Sequence, residues 1–157
     1  MAPEAPTCTI RPARPADIPE MVRLLELLFA IEADFTADAT RQSRGLALLM
    51  RQPLACIMVA EQEGRVAGMC SGQLTVSTAE GGFSLLLEDL VIAADFRGRK
   101  IAPRLLEAVA LWAAGHGAAR MQLLADRDNA SALSFYRRQG WRETALICLR
   151  RRQPAGE

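Results

Sequence analysis

Two carboxylates, Glu88 and Asp89, interrupt an otherwise apolar run, Leu85-Leu86-Leu87-Glu88-Asp89-Leu90-Val91-Ile92, and a basic turn follows, Arg97-Gly98-Arg99-Lys100. A carboxylate held among apolar side chains is pushed toward its neutral form, and its raised pKa makes it a candidate proton acceptor near neutral pH. The turn has the parts of an anion seat. Gly98 lets the backbone approach a ligand, three cationic side chains stand beside it, and exposed backbone amides lie where a helix would begin, at the positive end of its dipole. A pyrophosphate is the anion that such a turn favours. Proton transfer beside a bound phosphate group is thus the chemistry within reach.

The elements that must position these residues are legible on either side. Phe83–Ala93 reads as a buried strand. Ala102, Leu105, Leu106, Val109, Ala110 and Ala113 fall on one face of the helix that follows, with Pro103 tolerable in its first turn, and Gly115-His116-Gly117 closes it. Ala119–Ala125 is a short strand, expected parallel to the first because a helix joins them. Asp126-Arg127-Asp128-Asn129 leads into a helix to Arg138, and Trp141–Thr144 with Ala145–Arg150 is expected to close the sheet as a pair of strands. Upstream, Thr7–Arg11 is a strand, and Asp17 with Glu20 forms an expected capping box for a helix to Ile31. A shorter helix covers Thr40–Arg51, and Ala55–Ala60 and Arg65–Val76 flank the turn at Glu61-Gln62-Glu63-Gly64 as antiparallel strands. The fold class expected is α/β: one domain over residues 1–157, with a mixed sheet, an antiparallel N-terminal part, a parallel pair after the basic turn, flanking helices, and tails at about 1–7 and 151–157.

Composition excludes several classes. Nineteen basic against eighteen acidic side chains leave a net charge of +1, so no global field points to nucleic acid or to a membrane surface. No apolar run reaches membrane-spanning length, and the N-terminal MAPEAPT has no signal-peptide pattern. Cys8, Cys56, Cys70 and Cys148 are widely spaced and His116 is the only histidine, which argues against a metal site and for buried, reduced cysteines in a cytoplasmic protein.

The segment Glu88–Trp141 resembles the GNAT (Gcn5-related) N-acetyltransferases. Their phosphate loop follows [Q/R]-x-x-G-x-[G/A]; Arg97 and Ala102 fit it, and Lys100 stands where the pattern has its middle glycine. Their later Asn-x-x-Ala…Tyr-x-x-x-Gly-[Phe/Trp] pattern matches Asn129, Ala132, Tyr136, Gly140 and Trp141, and Ile10-Arg11-Pro12-Ala13 followed by Asp17 is similar to the usual family start. The resemblance implies acetyl-CoA as co-substrate. The pantetheine arm would pair with Leu90, Val91 and Ile92, and the pyrophosphate would rest on Arg97, Gly98, Arg99, Lys100, Ile101, Ala102 and Pro103, with Asn129 and Ser131 nearby. It also implies Tyr136 as the acid that protonates the leaving thiolate, and a homodimer.

Within the family, Leu87-Glu88-Asp89 and Asn129…Tyr136 look most like the diamine (spermidine/spermine) acetyltransferases, where Glu32 would be a substrate-contacting acid. An alkylamine has a pKa of about 10.4, so roughly one molecule in a few thousand is neutral at pH 7 and a proton acceptor is required. Glu88 is the expected base, directly or through water, and also an expected substrate contact. Strand alternation sends Asp89 to the other face, where pairing with an arginine or capping a loop is expected. The acceptor implied is a small cationic amine, drawn in by Glu32, Asp34 and Asp38 and acetylated by direct attack in a ternary complex. Protein lysines or N-termini and aminoglycosides are alternative acceptors. A module that binds acyl-CoA without turnover is the alternative of a different class.

Overall fold

The computed structural model describes residues 7–32 and 34–154. In chain order it holds β1 (Thr9–Pro12), α1 (Ile18–Ile31), α2 (Ala39–Arg51), β2 (Ala55–Gln62), β3 (Arg65–Ser77), β4 (Gly82–Ile92), α3 (Ile101–Gly115), β5 (Arg120–Leu123) and α4 (Ala130–Arg138). Two compact units divide it: the first, ending at Leu123, contains the sheet and α1–α3, and the second, from Leu124, contains α4.

The sheet of the first unit has the order β1-β2-β3-β4-β5. Neighbours are antiparallel as far as β4, and β4 and β5 are parallel with α3 as the connection, the mixed topology expected from the sequence. Glu63 and Gly64, with φ of 55° and 72°, make the two-residue turn between Gln62 and Arg65. Two positive φ values in succession suit the twist of a tight hairpin.

Helices cover both faces. On one, Met21 and Leu25 of α1 and Leu46 of α2 pack with Val59, Met69 and Val91 of the sheet. On the other, α3 packs over β3, where two glycines are crowded by side chains of β4 and α3. A Cβ on Gly68 would stand 2.6 Å from Ile92 Cδ1 and 3.1 Å from the Val91 carbonyl oxygen, and one on Gly72 would stand 2.9 Å from Leu85 Cδ1 and 3.2 Å from Val109 Cγ1.

The expected capping box at α1 is not formed. The Asp17 carboxylate turns back to β1, accepting from Arg11 Nη1 and Nη2 at 2.8 and 2.9 Å and from the Arg14 amide at 2.7 Å, while Glu20 accepts from the Val66 amide at 2.8 Å. A two-pronged charged pair outcompetes a single bond to a helix amide, and the Arg11 guanidinium holds the Asp17 carboxyl below its usual value.

The closing strands expected at Trp141–Thr144 and Ala145–Arg150 are also absent; these residues adopt no regular structure. A strand persists only with a ladder partner and a covered face, and Leu146, Ile147 and Leu149 are 87%, 70% and 86% exposed. All four cysteines are free. Cys56 and Cys70 are buried as expected, with burial pushing the Cys56 thiol up to about 11, but Cys8 is half-buried and Cys148 exposed. Among the described residues, no His, Cys, Asp and Glu cluster is suited to a metal, and no helix is long and apolar enough to cross a membrane.

Candidate active site

β4 pairs with β5 only from Ser84 to Leu87. β5 then ends at Leu123 while β4 continues to Ile92. Along that continuation β3 still lines one edge, with Leu90, Val91 and Ile92 opposite Cys70, Met69 and Gly68. The other edge of Glu88–Ile92 has no strand beside it among the described residues. An extended ligand carrying amide groups can complete such an edge.

A bulge marks the start of this stretch. Leu87 is opposite Gly72 and Leu90 opposite Cys70, so Glu88 and Asp89 face the single residue Ser71. Ser71 Oγ donates to Asp89 Oδ2 at 2.9 Å and accepts from the Asp89 amide at 3.2 Å. The alternation that would send the two acids to opposite faces therefore does not hold across the bulge. Asp89 is bound to a serine hydroxyl and not to the arginine or loop expected for it.

Asp89 is also where the sheet meets a cavity of about 550 Å³. Leu25 and Phe29 of α1, Leu46 and Leu49 of α2 and Leu74 of β3 form much of its wall, and Asp89 is the one ionisable residue among those that line it. Its volume is that of a small-molecule site. Burial raises the Asp89 carboxyl above its ordinary value, against the lowering effect of the Ser71 hydroxyl. Glu88 is exposed and does not line the cavity. Partial desolvation, and then the neighbouring Asp89 charge, raise its carboxyl too.

Beyond β4 the chain makes a short helical turn at Ala94–Phe96 and enters the basic turn. Phe96, 2% exposed, anchors it, with the Arg65 and Arg99 guanidinium carbons 5.0 and 4.9 Å from its ring centroid. Arg65 pairs with Asp95 at 2.8 Å, Arg99 Nη2 donates to the Asp95 carbonyl at 3.1 Å, and Arg97 Nε donates to the Ile92 carbonyl at 3.3 Å. Arg97 and Arg99 thus brace the turn as well as supplying charge to it. Gly98 has φ of 77°. Lys100, at the N-cap of α3, is left-handed with φ 58° and ψ 29°, so it takes up the backbone conformation for which glycine is favoured. Ile101 is buried beneath the turn, Ala102 and Pro103 complete the first turn of α3, and that turn contains no acidic side chain to compete with an anion.

In the second unit, Asn129 Oδ1 caps α4 by accepting from the Ala132 amide at 3.0 Å, and Ser131 is exposed. Tyr136 is half-buried on α4, its ring edge-on to Phe135 and Trp141 at centroid distances of 5.3 and 5.9 Å. Back in the first unit, Glu32 ends α1 and is half-buried, and Asp38 caps α2 by accepting from the Arg41 amide at 3.1 Å. Glu32, Asp34 and Asp38 do not line the cavity. Strand alternation and the family resemblance point to Glu88 over Asp89 in the sequence, whereas the acid that lines the cavity is Asp89.

A family model described as "Acetyltransferase (GNAT) family" matches residues 20–141. No curated protein matches the sequence. Among solved structures, the chain is similar to the aminoglycoside N-acetyltransferase AAC(6')-Iy in complex with CoA, with a TM-score of 0.84 and 16% identity over 98% of this chain and 100% of that one. It is similar also to glucosamine-6-phosphate N-acetyltransferase from Arabidopsis thaliana, at 0.75 and 19% over 92% and 98%. A transcriptional regulator from Bacillus halodurans C-125 aligns at 0.79 and 20% over 94% and 100%. At these identities the likeness is one of fold.

Proposed function

The chain belongs to the acetyltransferase (GNAT) family, and from that premise we propose that it transfers the acetyl group of acetyl-CoA to a primary amine of a small cationic molecule, by direct attack within a ternary complex. The observation that carries this reading is the continuity of one stretch: the β4 edge from Glu88 to Ile92 left without β5, the braced turn, and the N-terminus of α3. A pantetheine arm suits the edge, and a pyrophosphate suits the amides from Gly98 to Ala102. Crystallisation of AAC(6')-Iy with CoA supports the same co-substrate here.

Acetyl-CoA supplies a reactive thioester, and the chain's own residues manage the protons. Glu88 takes one from the ammonium, directly or through water, and its raised pKa supports that role. The neutral amine forms the new C–N bond as the C–S bond breaks, the Tyr136 hydroxyl gives its proton to the departing sulfur, and the proton then lost from the acylated nitrogen restores that hydroxyl. An amide, free CoA thiol and one proton released to solvent balance the reaction. On this reading a strand amide near Leu90 stabilises the developing oxyanion. A polyamine or diamine is the narrower acceptor implied by the motif resemblance, with Glu88 and Glu32 as its contacts, and the reading extends to a cytoplasmic homodimer.

Thiol release from acetyl-CoA, with the acetylated product identified, tests the proposal across alkylamines, polyamines, aminoglycosides and lysine peptides. Tyr136→Phe is expected to lower kcat about a hundredfold with acetyl-CoA affinity retained. Unchanged turnover under conditions where chemistry limits the rate removes Tyr136 from the mechanism. CoA binding with no turnover on any amine would favour a non-catalytic module.

A further inference from the structure

The walls of the cavity hold information about the acceptor that the family fold does not. Besides aliphatic and aromatic side chains they present Gln42 and Gln52 from α2 and the segment after it, Gln73 from β3, and the single carboxylate of Asp89. Asp89 stands next to Leu90, where the β4 edge proposed for the pantetheine arm begins, so an amine held by it lies at the acetyl end of that arm. Three neutral amides can each donate and accept hydrogen bonds, but none compensates a second buried positive charge.

We propose that Asp89 receives the ammonium of the acceptor in this cavity, and that the acceptor carries one cationic amine on an apolar body with at most neutral polar substituents. The inference rests on the acetyltransferase reading above; it puts a monoamine in place of the polyamine or diamine and Asp89 in place of Glu88 and Glu32 as the contact for the ammonium, with Glu88 acting as proton acceptor through water. Ser71 keeps the Asp89 carboxylate in place through its hydroxyl at 2.9 Å, and the charge-assisted contact selects the amine. Leu25, Phe29, Leu46 and Leu49 cover the carbon skeleton, and Gln42, Gln52 and Gln73 accommodate hydroxyl or carbonyl groups. A diamine or aminoglycoside finds no second acid among the lining residues, so its further ammonium gains no counter-ion there. Glu32, Asp34 and Asp38, the acids expected to draw in a polycation, lie outside the lining.

The test compares acceptors of equal length on the wild-type chain: hexylamine against 1,6-diaminohexane, with phenethylamine, spermidine and kanamycin as further probes, read as kcat/KM from thiol release. The expected result is that the monoamines exceed their dicationic and polycationic counterparts at least tenfold. Asp89→Asn should raise the KM for hexylamine about tenfold to a hundredfold while the KM for acetyl-CoA stays within twofold, and Asp89→Glu should recover part of the loss. Equal or better turnover of the diamine, spermidine or kanamycin overturns the inference and leaves the acetyltransferase reading standing. An Asp89→Asn chain that binds CoA normally and keeps its hexylamine KM also overturns it. CoA binding without thiol release on any amine removes both readings together. If the Asn variant does not fold, the monoamine and diamine comparison on the wild type decides alone.

Discussion

Lys100→Gly tests how the turn before α3 is held. Lys100 sits at φ 58° and ψ 29°, a left-handed conformation that costs an L-residue with a Cβ roughly 1–2 kcal/mol. Glycine removes that cost but gives back about 0.4–1 kcal/mol through the greater freedom of the unfolded chain. The difference favours the glycine variant by about 0.5–1 kcal/mol, which in a domain of this size raises Tm by roughly 1–4 °C. Lys100→Ala keeps the Cβ and therefore the strain, so its Tm should stay near that of the wild type. Lys100→Val should fall below both, because a β-branched side chain is a poorer occupant of this region. Thermal unfolding of the four chains, followed by circular dichroism, gives the order Gly above Lys and Ala, with Val lowest. If, as proposed, backbone amides and the α3 dipole seat the phosphates, the glycine variant should also retain CoA binding, with affinity reduced only by the loss of one exposed charge. A glycine variant less stable than the wild type, or an alanine variant stabilised as much as the glycine one, would refute the reasoning.

Three further outcomes are expected. Asp17→Asn breaks the pair in which the two side chains are only 10% and 15% exposed, at a cost of about 3 kcal/mol in a urea titration. Because Arg11 holds the folded carboxyl below the ordinary carboxylate value, the pair stabilises above that ordinary value and the stability is lost as pH falls through the lower folded one; this acid-side slope should be weaker in the variant. A variant with the wild-type slope would show that the pair is not what titrates. Gly68→Ala pushes a methyl against Ile92 and the Val91 carbonyl and should cost about 1–3 kcal/mol while weakening CoA binding through the displaced β4 edge; a calorimetric titration with unchanged affinity would dissociate that edge from the co-substrate. Glu88→Gln should remove an acid-side limb of the kcat/KM profile that lies above pH 4.5, its position raised by desolvation and by Asp89. An unaltered profile would leave water as the base.

The sequence made much of the first unit readable, for local reasons. Periodicity locates α1, α2 and α3 to within a residue or two, and the turn expected at Glu61-Gln62-Glu63-Gly64 marks the β2–β3 hairpin, although Glu61 and Gln62 belong to β2. What it could not convey depends on distant pairing. The bulge opposite Ser71 arises from the register between β3 and β4, and it decides that Asp89, not Glu88, lines the cavity. Asp17 and Glu20 looked like partners because they are three residues apart, yet Arg11 and the Val66 amide, brought close by the sheet, hold them separately. Leu146, Ile147 and Leu149 carry a strand-like composition, but composition supplies no partner backbone. In the basic turn the residue types are plain in the sequence, but the backbone conformation of Lys100 is not. Lys100 occupies the glycine position of the family pattern by adopting the backbone a glycine would use.

The most direct measurement is mass spectrometry of both chain and amine after mixing the purified protein with acetyl-CoA and a panel of small amines. One acetyl group appearing on an amine for each CoA thiol released, with none retained on the chain, is the result expected of direct transfer. CoA that binds while acetyl-CoA remains intact with every amine would contradict it.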